Sequence, residues 1–198
     1  MKIAIISDMH GETAGLKAAL EDMEAENVDL IYCLGDLIHG GGEDEDVVQL
    51  VRENRIATVF GNHDLKHENE LSESATQFMD GLPERIWFDD VVLSHASPLD
   101  RKKITCLEDS FRVFDEAEFR VGFVGHTHFP FVFEKSADGT VSELEKPYDE
   151  KMILNKKSRY LICVGPLGDQ RTPRVPFQYV IFDRSDDSVI YKLLNVEC

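Results

Sequence analysis

The sequence predicts an α/β sandwich, and three observations lead there. Its first half alternates unbroken apolar runs with helical patterns, as parallel β-α-β units do. Its last third carries β-branched and aromatic runs separated by turn signals, as antiparallel strands do. Its 198 residues, 42% of them hydrophobic, suffice for one sizeable core and suit one domain better than two.

Residues 3–6 form an apolar run rich in branched side chains, a strand covered on both faces, and it ends in the polar cluster 7–11. Ala14, Leu16, Ala19, Leu20 and Met23 then recur at helical spacing over 13–25, and 28–34 reads as a second buried strand. The cycle repeats with a glycine-rich loop at 35–42, a helix at 46–53 and a strand at 56–60. A helix over 70–79 follows. Strands are expected at 85–88, 91–94 and 121–124, with a helix at 108–117 between the last two. Runs at 129–133, 160–164, 179–182 and 189–194 read as the antiparallel half, and 134–157 as a polar hairpin insertion at the rim.

Lys and Arg number 21 against 38 Asp and Glu, a net charge of −17. Such a surface repels phosphate backbones and excludes general coating of nucleic acid. An anionic substrate would need an attractor other than side-chain charge, and bound metal cations would suffice. The four cysteines, Cys33, Cys106, Cys163 and Cys198, form no CxxC pair, which points to a reducing cytosol. The start of the chain lacks a signal-type apolar segment and no window reaches 18 uncharged apolar residues, so a cytoplasmic protein without a membrane partner is expected.

Five polar clusters each follow an expected strand: Asp8-Met9-His10, Gly35-Asp36, Gly61-Asn62-His63-Asp64, Ser94-His95 and Gly125-His126-Thr127-His128. Strand ends of an α/β sheet converge on the rim where ligands bind. Asp8 with His10, and His126 with His128, stand two apart, which in extended backbone points both side chains to one side. Carboxylates, imidazoles and an amide without thiolate suit manganese, iron, zinc or nickel. Taken singly, each Asp or His reads as a turn or capping residue or a hydrogen-bonded core histidine, but turn formation does not explain so many imidazoles at strand ends.

In this order, the series D-x-H, GD, GNHD, H and GHTH resembles the calcineurin-like metallophosphoesterases over about two-thirds of the chain, from Asp8 to His128. The chain is most similar to their small single-domain bacterial and archaeal phosphodiesterases. The resemblance implies one metallophosphoesterase domain over 1–198 and a four-layer αββα sandwich of two mixed β-sheets, the metallo-dependent phosphatase-like fold. It further implies two divalent cations, manganese before iron, zinc or nickel. Asp8, His10, Asp36 and His128 would hold one, and Asp36, Asn62, His95 and His126 the other. Such a pair activates water for in-line attack on a small phosphodiester. The resemblance makes His63 the general acid, with Asp64 orienting its ring. A phosphomonoesterase, a dinucleoside polyphosphate hydrolase and a non-catalytic scaffold such as the retromer subunit are the alternatives. The partner expected is a small phosphoester, with no stable nucleic-acid binding, and the sequence carries no sign of an oligomer either way.

Other residues receive plainer readings. His39 is read as a solvated loop histidine rather than a substrate contact, and His67 as surface. The acidic run 43–46 is read as a helix start favoured by the dipole, and Trp87 and 129–133 as sandwich core. Arg171 could clamp a phosphate, and with Arg174 it lies where the similar subgroup reads NPGSxxxPR, a core replaced here by Val164-Gly165-Pro166-Leu167-Gly168.

Overall fold

A computed structural model describes residues 1–66, 71–168 and 176–196. In chain order the elements are β1 (Lys2–Ile6), α1 (Thr13–Ala25), β2 (Leu30–Cys33), α2 (Asp44–Glu53), β3 (Ala57–Thr58), a single 3-10 turn (Asp64–Lys66), α3 (Glu73–Asp80), β4 (Arg85–Phe88), β5 (Val91–Ser94), α4 (Leu107–Glu116), β6 (Val121–Val124), β7 (Phe131–Lys135), β8 (Val141–Leu144), β9 (Met152–Ile153), β10 (Arg159–Cys163), β11 (Gln178–Asp183) and β12 (Ser188–Leu193).

The strands form two sheets of six, in the orders β3-β2-β1-β11-β12-β9 and β4-β5-β6-β10-β7-β8. Both are mixed. The expected parallel units appear as β1-β2-β3, and β11 adds antiparallel to β1. In the other sheet β5, β6 and β10 run parallel, so the division into a parallel first half and an antiparallel second half holds only in part. Parallel register carries the chain ends of β1, β2, β5 and β6 to one side, and there the five polar clusters meet.

Three apolar clusters make four layers. Leu16, Ala19 and Met23 of α1 and Val47, Val48 and Val51 of α2 pack with Ala4 and Ile6 of β1. Ile3 and Ile5, on the opposite face of β1 by strand alternation, meet Leu93, Phe123 and Ile162 of the second sheet. Beyond it, Val113 and Phe114 of α4 pack on Val92, Phe133 and Leu161. The arrangement is the αββα sandwich.

Two core assignments are corrected. Trp87 is 50% exposed and Phe129 60% exposed. β4 is an edge strand, and alternation gives Ile86 and Phe88 to the inter-sheet core while turning Trp87 outward. Phe129 precedes β7, whose Phe131 and Phe133 are buried as expected. The segment 134–157 is no separate insertion, for it supplies the outer strands β8 and β9, one to each sheet. The acidic run does more than start α2. Glu43 caps α1, accepting from the Thr13 N–H and hydroxyl, and Glu45 accepts from Ser72. Asp44 takes the N–H groups of His39, Gly40 and Gly41. His67, Arg171, Arg174 and Cys198 lie outside the described residues.

Candidate metal centre

All seven ligands expected from the sequence come to one place, as two groups. Asp8, His10 and His128 bring ligand atoms within 4.8 Å of one another, and so do Asp36, His95 and His126; His10 does so again with His39 and His63, which were not among the expected ligands. In the first group the Nε2 atoms of His10 and His128 stand 3.0 Å apart, and Asp8 Oδ1 lies 3.4 Å from His128 Nε2. In the second, His95 Nε2 is 3.0 Å from Asn62 Oδ1 and 3.1 Å from His126 Nδ1. Asp36 Oδ2 faces both groups, 3.8 Å from His10 Nε2 and 3.3 Å from His95 Nε2.

The other oxygen of each carboxylate braces an opposing loop. Asp8 Oδ2 accepts from the His126 N–H at 3.0 Å, and Asp36 Oδ1 from the His63 N–H at 2.8 Å. This bracing explains two of the glycines. A Cβ at Gly61 would stand 2.1 Å from Asp36 Oδ1, and one at Gly125 2.7 Å from Asp8 Oδ2. At these two positions close approach is what requires glycine. Left-handed backbone falls instead on the ligands themselves: Asp8, His10, Asp36, His126 and His128 all have φ between 51° and 67°. Such φ values are uncommon outside glycine, and they persist where the surrounding structure over-determines them.

The Asp64 carboxylate takes the N–H groups of Asp36, Leu37 and Gly61 at 2.7–2.8 Å. Through these bonds it ties the Asp36 loop to the Asn62 loop. The His63 ring is met by His39, Nδ1 to Nδ1 at 3.0 Å, and stands edge-on to His10. His39 itself is exposed, yet it belongs to the imidazole cluster of the site. The sequence signal for it was present, a histidine three residues after the GD pair, but one loop histidine outside any motif carries no direction. Leu167 and Gly168 reach the back of the Asp8 loop, donating their N–H groups to the Ser7 and Asp8 carbonyls.

The electrostatics fit cations. Burial raises the Asp8 carboxyl, but the imidazoles of His128 and His95 outweigh it and hold Asp8 well below the usual carboxylate range. Burial lowers His10 and His126 to about 4, leaving both rings neutral and able to donate lone pairs. Burial would lower His95 too, yet Asp36 and Asp8 raise it to about 9. The Nδ1 of His95 faces the Leu34 carbonyl at 2.9 Å, which assigns its proton there and aims Nε2 into the site. Burial pushes Asp64 up to about 6 against the pull of its N–H groups.

Asp8 Oδ1 is buried without a hydrogen-bond donor among the described residues, and two ring nitrogens at 3.0 Å share at most one proton. Both features fit a site for divalent cations. A divalent cation there would polarise phosphoryl oxygens and make coordinated water more acidic.

Comparison with known proteins agrees. The family model for the calcineurin-like phosphoesterase superfamily domain matches residues 1–187. An uncharacterised protein of Methanocaldococcus jannaschii is 31% identical, the match covering 98% of this chain and 87% of that protein. The crystal structure of a metallophosphoesterase from Sphaerobacter thermophilus superposes with a TM-score of 0.85 at 27% identity, covering 100% of this chain and 90% of that one. An archaeal phosphodiesterase shares the fold at 16% identity and a TM-score of 0.57, with 98% and 100% covered. The match over nearly the whole chain, on a sandwich whose strand ends gather these aspartates and histidines, makes the protein a member of the calcineurin-like phosphoesterase superfamily.

Proposed function

We propose that the protein is a phosphodiesterase that depends on two divalent cations, manganese being the first candidate, and cleaves a small phosphodiester. The observation that carries this reading is Asp36 Oδ2, which stands within 4 Å of a ring nitrogen from each ligand group. One carboxylate oxygen so placed can serve two cations, and seven residues then act as ligands: Asp8, His10, Asp36, Asn62, His95, His126 and His128. His63 stands outside these two groups, its ring against His10 and gathered with those of His10 and His39. It is the proton donor of the proposal. The oxygen of water bonds to phosphorus and gives up a proton to solvent, the bond to the leaving oxygen breaks with its electron pair, and His63 protonates that oxygen. Asp64 holds the Asp36 and Asn62 loops in register, and His39 supports the His63 ring.

Hydrolysis of bis(4-nitrophenyl) phosphate beside 4-nitrophenyl phosphate tests the reading, with manganese returned to chelator-stripped protein. Metal-dependent cleavage of the diester, faster than that of the monoester and lost in His63→Ala, is expected. Preferential cleavage of the monoester would assign a phosphomonoesterase, and bound metal without turnover of either ester would overturn the enzyme reading for these substrates.

A further inference from the structure

A cavity of about 320 Å³ opens beside the second ligand group, where Asn62, His95 and His126 share its lining with Phe60, Leu65 and Arg101. That volume is at the lower end of ligand pockets, roughly 300–1,000 Å³, and suits one nucleoside-sized substituent rather than a polymer. The charged groups of its wall are unequal. Glu84 and Arg85 pair at 2.5 Å. Asp100 pairs with Arg112 at 2.9 Å and Lys102 at 3.2 Å. Arg101 has no ion pair and no side-chain hydrogen bond among the described residues, and its guanidinium stands 5.8 Å from the centre of the Phe60 ring.

The backbone that carries Arg101 is braced. Its backbone is left-handed, φ 58°, and its N–H donates to the Ser97 carbonyl at 3.0 Å while the Ser97 N–H donates to the Lys102 carbonyl at 2.9 Å. The loop closes on itself and presents this arginine beside the ring. In a chain of net charge −17, a guanidinium on a braced loop, without an ion pair among the described residues and next to the proposed phosphoester site, is suited to a second anion. His63 does not line the cavity, and its ring packs on His10 of the first group. The leaving oxygen therefore departs on the first group's side, and the cavity serves the substituent that stays on phosphorus.

We infer that the substrate is a nucleotide-type diester whose retained substituent fills this cavity, its ring beside Phe60 and Leu65 and a second anionic group on Arg101. The inference rests on the phosphodiesterase reading above. Thymidine 5′-(4-nitrophenyl phosphate) with and without a 3′-phosphate gives matched esters that differ only in the second anion. The manganese-loaded protein is expected to prefer the 3′-phosphorylated ester about tenfold or more in kcat/KM, carried by KM, the size of one charge-assisted hydrogen bond. Arg101→Gln abolishes that preference, whereas Lys102→Gln, a neighbouring exposed cation, keeps it. Equal rates in the unaltered protein, or a preference that survives Arg101→Gln, would overturn the inference. Calorimetric binding of thymidine 3′,5′-bisphosphate against thymidine 5′-monophosphate reads the same ratio without turnover. If neither ester is cleaved, the phosphodiesterase reading fails, and the binding ratio alone decides the Arg101 subsite.

Discussion

The two ligand groups are made of the same residue types but have different surroundings. Asp8, His10 and His128 adjoin two further imidazoles, those of His39 and His63, at 5.5 and 4.9 Å from the His10 ring. Asp36, His95 and His126 adjoin instead a cavity walled by Phe60, Leu65 and Arg101. On the proposed reading one side serves proton transfer and the other recognition, and a phosphoester held between them would have its two substituents treated differently. A pair of carboxylates makes the same point at closer range. Asp36 turns one oxygen into the site, whereas both oxygens of Asp64 face backbone N–H groups.

The largest effect is expected at the residue the two groups share. Asp36→Ala should lose both cations and abolish turnover, read by metal analysis and diester hydrolysis together; a variant that keeps either cation would show that the groups are independent. His63→Ala sharpens the division between proton transfer and recognition. It should keep its metal and lose about 10²–10⁴-fold in kcat, and an equal loss through KM would place His63 in binding. Asp64→Asn should weaken metal affinity by about 10–100-fold, with turnover restored at saturating manganese, because it acts through the loops that carry the ligands. Failure of added metal to rescue would make Asp64 catalytic.

A smaller effect follows from His95. Its pKa in the metal-free fold is about 9, raised from 6.5. Its protonation therefore stabilises that fold fully below pH 6.5, and the contribution is lost as pH rises through 9. Between pH 7 and 8 the second group should release about one proton on metal binding, a figure that follows from this shift. The first group should release none from His10, held at about 4. Calorimetry in two buffers of different ionisation enthalpy measures the difference, and no release would contradict the Asp36–His95 pairing. The smallest effect is expected far from both groups: Trp87→Ala on the edge strand should shift stability by about 0.5 kcal/mol or less, as surface substitutions do. Phe123→Ala in the inter-sheet core should cost about 3–5 kcal/mol in denaturant unfolding.

Much of this was legible in the sequence. Helix α1 spans the residues its apolar spacing predicts, and β4, β5 and β6 begin and end where their patterns do. All seven candidate ligands were read from short strings at strand ends, since the spacing within a string such as His126-Thr127-His128 is itself a local feature. The fifth and sixth imidazoles of the site were not read alike: His63 stood inside a motif, whereas His39 stood alone in a glycine-rich loop. The strand at 56–60 shrank to β3, because its chain leaves the sheet early to carry Asn62 inward.

The sequence by itself determined the alternation of elements, the residue types of the ligands and the rim where strand ends would bring them. These are local properties, set by side-chain periodicity and by which residues can end a strand. Only the tertiary structure decided that Asp64 grips the backbone of two loops, that Asp8 braces a loop 118 residues away, that Trp87 faces outward and that Arg101, beside a cavity, has no ion pair among the described residues. Each of these depends on which strand becomes an edge and on which distant loop a carboxylate meets, and chain spacing encodes neither.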